Sequence, residues 1–144
     1  MNIKKALKSK NKLVKTINEH FQKVSHYNSV EEGTTRPYSA REMLNNWIES
    51  TDELVELKTK IHLANAPVYN KIFRLAELKS MVSKLNSLNC SEGKISRGRW
   101  DSDDKTIFTS EISVIDRDMM VKSLELEIEQ IQDELDTHNA TVEI

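Results

Sequence analysis

The sequence predicts an all-α protein, an antiparallel bundle of long helices with coiled-coil-like seams and one non-helical insert. Three observations predict it. Apolar residues recur in steps of three and four along four long stretches. Only 3 Gly and 2 Pro punctuate 144 residues, and charged residues make up 31% against 38% hydrophobic, the balance of a helix-rich, well-solvated chain. One stretch breaks the pattern: GKISRGRWDSDDKTIFTSE, residues 93–111, which holds two of the three glycines and a tryptophan among clustered charges. The length suits a single domain, 1–144, with one core.

The first helix is expected at about 2–28. Ile3, Leu7, Val14, Ile17, Phe21 and Val24 follow heptad steps that miss one beat at Lys10, and Ala6 and Leu13 widen the stripe. At 1.5 Å per residue this helix would be roughly 40 Å long. It ends in SVEEGTTRP, where Gly33 and Pro37 are breakers. Ser39 then opens SARE, with Glu42 three residues on, a capping-box pattern for a second helix at 39–65. Leu44, Trp47, Ile48, Leu54, Val55 and Ile61 carry its stripe.

Ala66-Pro67 is expected to interrupt the helix, because proline lacks an amide proton and disfavours helical geometry before it. The alternative places Pro67 at the first position of the next helix, where its missing donor costs nothing. That third helix fits 67–89, with Val68, Ile72, Leu75, Leu78, Val82 and Leu85 on one side. The fourth fits 116–140, capped by Asp116, with Val121, Leu124, Ile128, Ile131 and Leu135 at heptad spacing, followed by His138 and Val142. Asn65 and Asn139, each before a small residue at an expected helix end, are candidate caps. Narrow stripes on helices of this length need neighbours. The expected seam residues are Ile17, Phe21, Ile128, Ile131 and Leu135.

Charge is divided between the ends of the chain. The first 27 residues hold seven lysines against Glu19, while nine acidic groups from Asp116 onward face only Arg117 and Lys122; the net charge is −2. Complementary helices of this kind select partner and orientation, so the first and last helices are expected to be neighbours. A nucleic-acid or anionic-surface interaction through the lysines is the alternative. Against it, those lysines have no nearby arginines to read bases. The one cysteine, Cys90, excludes an internal disulfide and fits a reducing, cytoplasmic setting. No run of about 18 apolar residues is present to span a membrane, and the basic start is followed by no apolar signal-like run.

Signals for chemistry are weak. His20, His26, His62 and His138 are scattered without a metal-ligand motif, so no metal or other cofactor is expected. Asn89, Ser91 and Glu92 offer nothing to activate Cys90 as a nucleophile. Glu49, Asp52, Glu53 and Glu56 have the spacing by which carboxylates share a helix face and hold magnesium in all-helical pyrophosphatases. A metal-dependent hydrolase is therefore a further alternative, although acidic surface helices produce this spacing by chance. No phosphate loop or GxSxG motif is present, and no catalytic residues are assigned.

The insert, 91–115, alternates at Ile95 to Trp100 and again from Thr106 to Val114, with DSDD as turn chemistry between. It reads as a β-hairpin or extended arm around 94–114, or as a polar connection. Arg97, Arg99 and Trp100 are its candidate interaction residues, since Arg suits anions and both types recur at binding hot spots.

ALKSKNKLVKTI (Ala6 to Ile17), KIHLAN (Lys60 to Asn65), SEIS (Ser110 to Ser113) and ELDTHNATVEI (Glu134 to Ile144) resemble a bacterial family of small helical proteins, some of which carry the label septicolysin. The chain departs from that family's pattern after Asn65, where Ala66-Pro67 replaces a longer, Gly-containing turn. The resemblance implies a helical hairpin bundle, oligomeric, with no established activity. The label implies pore formation, but no segment here reads as membrane-inserting. Together these readings predict a non-enzymatic, self-assembling homo-oligomer acting through protein–protein interaction.

Overall fold

The computed structural model describes residues 1–94 and 106–144. The fold is all-α with a small two-stranded antiparallel sheet. Helices α1 (Ile3–Tyr27), α2 (Ala40–Asn65), α3 (Tyr69–Asn86) and α4 (Val114–Thr141) are joined by a 3₁₀ turn (Ala66–Val68) and strands β1 (Gly93–Lys94) and β2 (Ile107–Phe108). The chain divides into two compact units, Met1–Tyr69 with Asp136–Ile144, and Asn70–Leu135.

In the first unit, α1 and α2 form an antiparallel hairpin. Asn2 caps α1 by accepting the Lys5 amide at 2.9 Å, and its own side-chain amide donates to the Ala140 carbonyl at 2.9 Å. At the other end, Arg36 donates from Nε to the Tyr27 carbonyl (2.7 Å) and from Nη2 to that of Asn28 (3.2 Å), so a cation meets the carbonyl-rich end of the helix dipole. Gly33, at φ 85, supplies the left-handed residue of the turn closed by the Thr34 amide on the Glu31 carbonyl. The serine half of the expected capping box is made: the Glu42 amide donates to Ser39 Oγ at 3.2 Å.

Pro67 neither breaks the helical path nor opens α3, which starts at Tyr69. It sits in the first turn of a 3₁₀ segment, and Asn65, Ala66 and Tyr69 all keep right-handed helical backbone. Residues Ala66 to Val68 therefore tighten the helical path where a break was expected. The Ala66 amide reaches the Leu63 carbonyl, three residues back. Tyr69 then folds over this turn, its hydroxyl donating to the His62 carbonyl at 3.3 Å and hydrogen-bonding the His62 ring at Nδ1. Neither asparagine caps as expected. Asn65 makes no side-chain cap bond and its Oδ1 is buried without a partner, and Asn139 lies inside α4.

The end of α4 and the residues after it close this unit. The Ile3 amide donates to the Val142 carbonyl at 3.1 Å, the Ile144 amide to that of Met1 at 2.9 Å, and Asn2 and Glu143 form an antiparallel bridge. Ile3, Ala6, Ile61 and Val68 are its buried side chains.

In the second unit, α3 and α4 run antiparallel. Lys71 pairs with Glu134 at 2.8 Å, Arg74 grips Glu127 in a fork at 3.0 and 3.2 Å, and Arg117 donates to the Leu88 carbonyl at 3.3 Å. Leu78, Cys90, Val121 and Leu135 are buried. Helix α4 starts at Val114 and is capped by Ser113, whose Oγ accepts the Asp116 amide at 3.1 Å. Asp116, the expected cap, stands in the first turn, where a carboxylate suits the helix dipole. Helix α3 ends at Asn86, earlier than the expected 89, and Ser87 Oγ donates to the Lys84 carbonyl at 2.8 Å. In the sheet, Gly93 pairs with Phe108 and Lys94 with Ile107. Ser110 donates to Glu92 at 2.5 Å beside it.

Candidate functional site

The expected seam residues do not share one environment. Leu135 is buried, Ile17, Ile128 and Ile131 are half-buried, and Phe21 is 47% exposed. The candidate interaction residues Arg97, Arg99 and Trp100 lie outside the described residues.

Phe21 is where the sequence and structure meet most informatively. Its ring lies 5.2 Å from that of Trp47, which fixes the level at which α1 and α2 run past each other. Ile48 follows Trp47, about 100° further round α2 and within one residue of the level of Phe21. Seven residues along each helix, Val14 and Val55 repeat these positions at nearly one level. The seven-residue step returns a side chain to nearly the same line on a helix, so these four form a strip. All four are exposed, at 39% for Val14, 47% for Phe21 and Ile48, and 59% for Val55. A groove lined by Ser9, Leu13 and Thr16 of α1 and by Glu53 and Leu57 of α2 marks the opposite flank of the hairpin. Val14 lies about 100° round from Leu13, and Val55 nearly opposite Leu57, at 3.6 residues per turn.

Helix α4 carries a second apolar line, Ile115, Met119 and Leu126, exposed at 72, 67 and 61%. Heptad spacing alone does not reveal such lines, because it cannot say which part of a broad stripe the neighbouring helix covers.

The lysines of α1 are mostly exposed. Lys5, Lys8 and Lys12 line a shallow groove with Met1 and Ser9, and Lys15 lies 3.9 Å from Glu19. The residues that open α1 are bonded to the end of α4 and to Val142 beyond it, and the ion pair there joins the Met1 ammonium to Glu143 at 2.6 Å. Two α4 carboxylates expected to answer those lysines are engaged by α3. Lys71 and Gln130 hydrogen-bond the Glu134 carboxylate and hold it below the usual carboxylate range, with the Lys71 charge adding to this. The Glu127 hydrogen bond and charge raise the already high pKa of Arg74.

Among the described residues, no three His, Cys, Asp or Glu side chains converge as ligands of a metal ion would. Cys90 is buried after α3. Glu49, Asp52, Glu53 and Glu56 are all exposed on α2. No described helix is long and apolar enough to cross a membrane. No family model, curated protein or solved structure matches this chain.

Proposed function

We propose that this chain is a non-enzymatic, self-assembling helical protein, a cytoplasmic homo-oligomer that acts through protein–protein contacts. The observation that carries this reading is the in-register apolar strip of Val14, Phe21, Ile48 and Val55. Single exposed apolar residues are ordinary on a protein surface, whereas contiguous lines of them mark interaction sites. The small core supports the same reading. Among the described residues only Ile3 and Leu78 are large side chains with essentially no exposure, and no polar side chain is buried in exchange. The test is solution mass by light scattering, at low and high salt and over a range of protein concentrations. A stable oligomer at both salts is expected, since apolar contact persists where surface charge is screened. A monomer throughout would refute the reading.

A second reading rests on Lys5, Lys8 and Lys12 around one groove: binding of nucleic acid or another polyanion. Retention on nucleic acid that falls steeply with added salt would favour it. Retention that is absent at low salt would dismiss it.

A further inference from the structure

The face formed by Val14, Phe21, Ile48 and Val55 has a chemistry that specifies its occupant. We propose that this face packs against the same face of a second copy, about a two-fold axis parallel to the helices. Each α1 would then lie antiparallel against the α2 of the other copy in a four-helix bundle. This inference rests on the self-assembly reading and adds the surface and the orientation to it.

The argument begins with shape. Two helices that pack side by side leave a shallow furrow between them, and the strip runs along both its edges. A flat pair of helices with an apolar flank is half of a four-helix bundle, and a second pair of the same kind completes it. A two-fold axis requires a surface to be complementary to itself, so the two edges must answer each other.

They do so in size and level. Phe21 of one copy meets Ile48 of the other, and Val14 meets Val55, because the Phe21–Trp47 contact already sets these residues at matching heights in one chain. Phe21 with Ile48 thus makes a bulkier layer of the joint, and Val14 with Val55 a slimmer one.

Charge chooses between the two possible axes. An axis across the helices would lay α1 on α1, placing a helix with seven lysines and one carboxylate against its own copy. An axis along the helices lays α1 on α2. Just outside the strip on α2 lie Asp52 and, a turn further, Glu56. Just outside it on α1 lie Asn18 and Lys15. At the levels fixed above, Asn18 and Lys15 of one copy come beside Asp52 of the other, and Lys15 lies within a turn of Glu56. Lys58, which follows Val55 by three residues, comes level with Asn11, a neutral side chain. The rims favour this orientation and the strip closes it.

The test starts with the intact chain. Val55→Asp and Ile48→Asp place a carboxylate on already exposed positions, so helicity by circular dichroism is expected to stay unchanged. Each is expected to reduce the light-scattering mass from twice 16.6 kDa to 16.6 kDa. Orientation is read by mixing single-cysteine substitutions and adding a short thiol crosslinker, with the buried Cys90 as a constant background in every mixture. Val14→Cys mixed with Val55→Cys is expected to give crosslinked dimers. Val14→Cys mixed with Phe21→Cys is expected to give only the background level. An oligomer unchanged by both aspartate substitutions would overturn this face while leaving self-assembly in place. An unsubstituted chain that is monomeric at every concentration would overturn both. A crosslink from position 14 to position 21 in preference to 55 would overturn the orientation.

Discussion

The imidazole Nε2 of His138 lies 3.1 Å from the carbonyl oxygen of Ala64, so that the last turns of α4 are fastened to the end of α2 across 74 residues of sequence. A carbonyl oxygen only accepts, so Nε2 carries the proton in this contact. His138 stands on the apolar seam of α4, and its ring fills a half-buried position while its edge makes this bond.

His138→Leu keeps much of the volume and removes the donor. The expected loss is about 1 kcal/mol of stability, the usual net worth of one such bond, measured by urea unfolding. An unchanged midpoint would mean that the contact is incidental to the fold.

Tyr69→Phe tests the account of the Pro67 turn. The tightened turn sends the Ala66 amide to Leu63, and the Tyr69 hydroxyl serves the His62 carbonyl. Removing that hydroxyl is expected to cost about 1 kcal/mol. The aromatic contact of ring 69 with ring 62 would remain, so the loss reports the hydroxyl.

Lys71 and Glu134 predict a pH dependence. The carboxyl of Glu134 is depressed in the folded state, first by the Lys71 hydrogen bond. Its contribution is therefore present above the ordinary glutamate pKa and is lost as pH falls through the lower folded value. In a carboxyl-resolved NMR titration, Glu134 should titrate at lower pH than unpaired glutamates. Lys71→Met should move it back toward the ordinary range. Both side chains are well exposed, so the effect on overall stability is expected to be small.

Leu78→Ala separates core from surface. Leu78 is fully buried and Leu63 is 66% exposed, so alanine at 78 should cost about 2–5 kcal/mol. Alanine at 63 should change stability by less than about 0.5 kcal/mol. Equal effects at both sites would contradict the packing described for the second unit.

Much of the fold is legible in the sequence because its signals are local. The step of three and four that marks α1 depends only on its own residues, and Ser39 caps α2 with the backbone immediately following it. The start of α4 is less legible. Ser113 and Asp116 are both good capping residues three apart, and the choice depends on which backbone turns first. The role of Arg36 is not legible in the sequence, because capping the end of α1 depends on how the loop from Asn28 to Ser39 folds back. The pairs of Lys71 with Glu134 and Arg74 with Glu127 were hidden for a similar reason. The charge totals of the outer helices favoured lysines of α1 as partners, whereas antiparallel packing brings α3 within reach. For the candidate surface, Phe21 was readable as apolar at heptad spacing. That Ile48, Val55 and Val14 share its open flank follows only from the level set by Trp47.

The pairing of Met1 to Ile3 with Val142 to Ile144 also bears on how the chain's order can be rearranged. The backbones at residues 1 and 144 are already hydrogen-bonded neighbours, so a short Gly-Ser link could join them with little disturbance. New ends could then be opened in the exposed loop between α1 and α2, near Gly33. Such a circular permutant would keep every helix in place while releasing the connection that now makes α1 and α2 successive. If it still folded, that would show the hairpin to be held by its packed faces and by the clasp at its base, independently of the loop that joins its two arms.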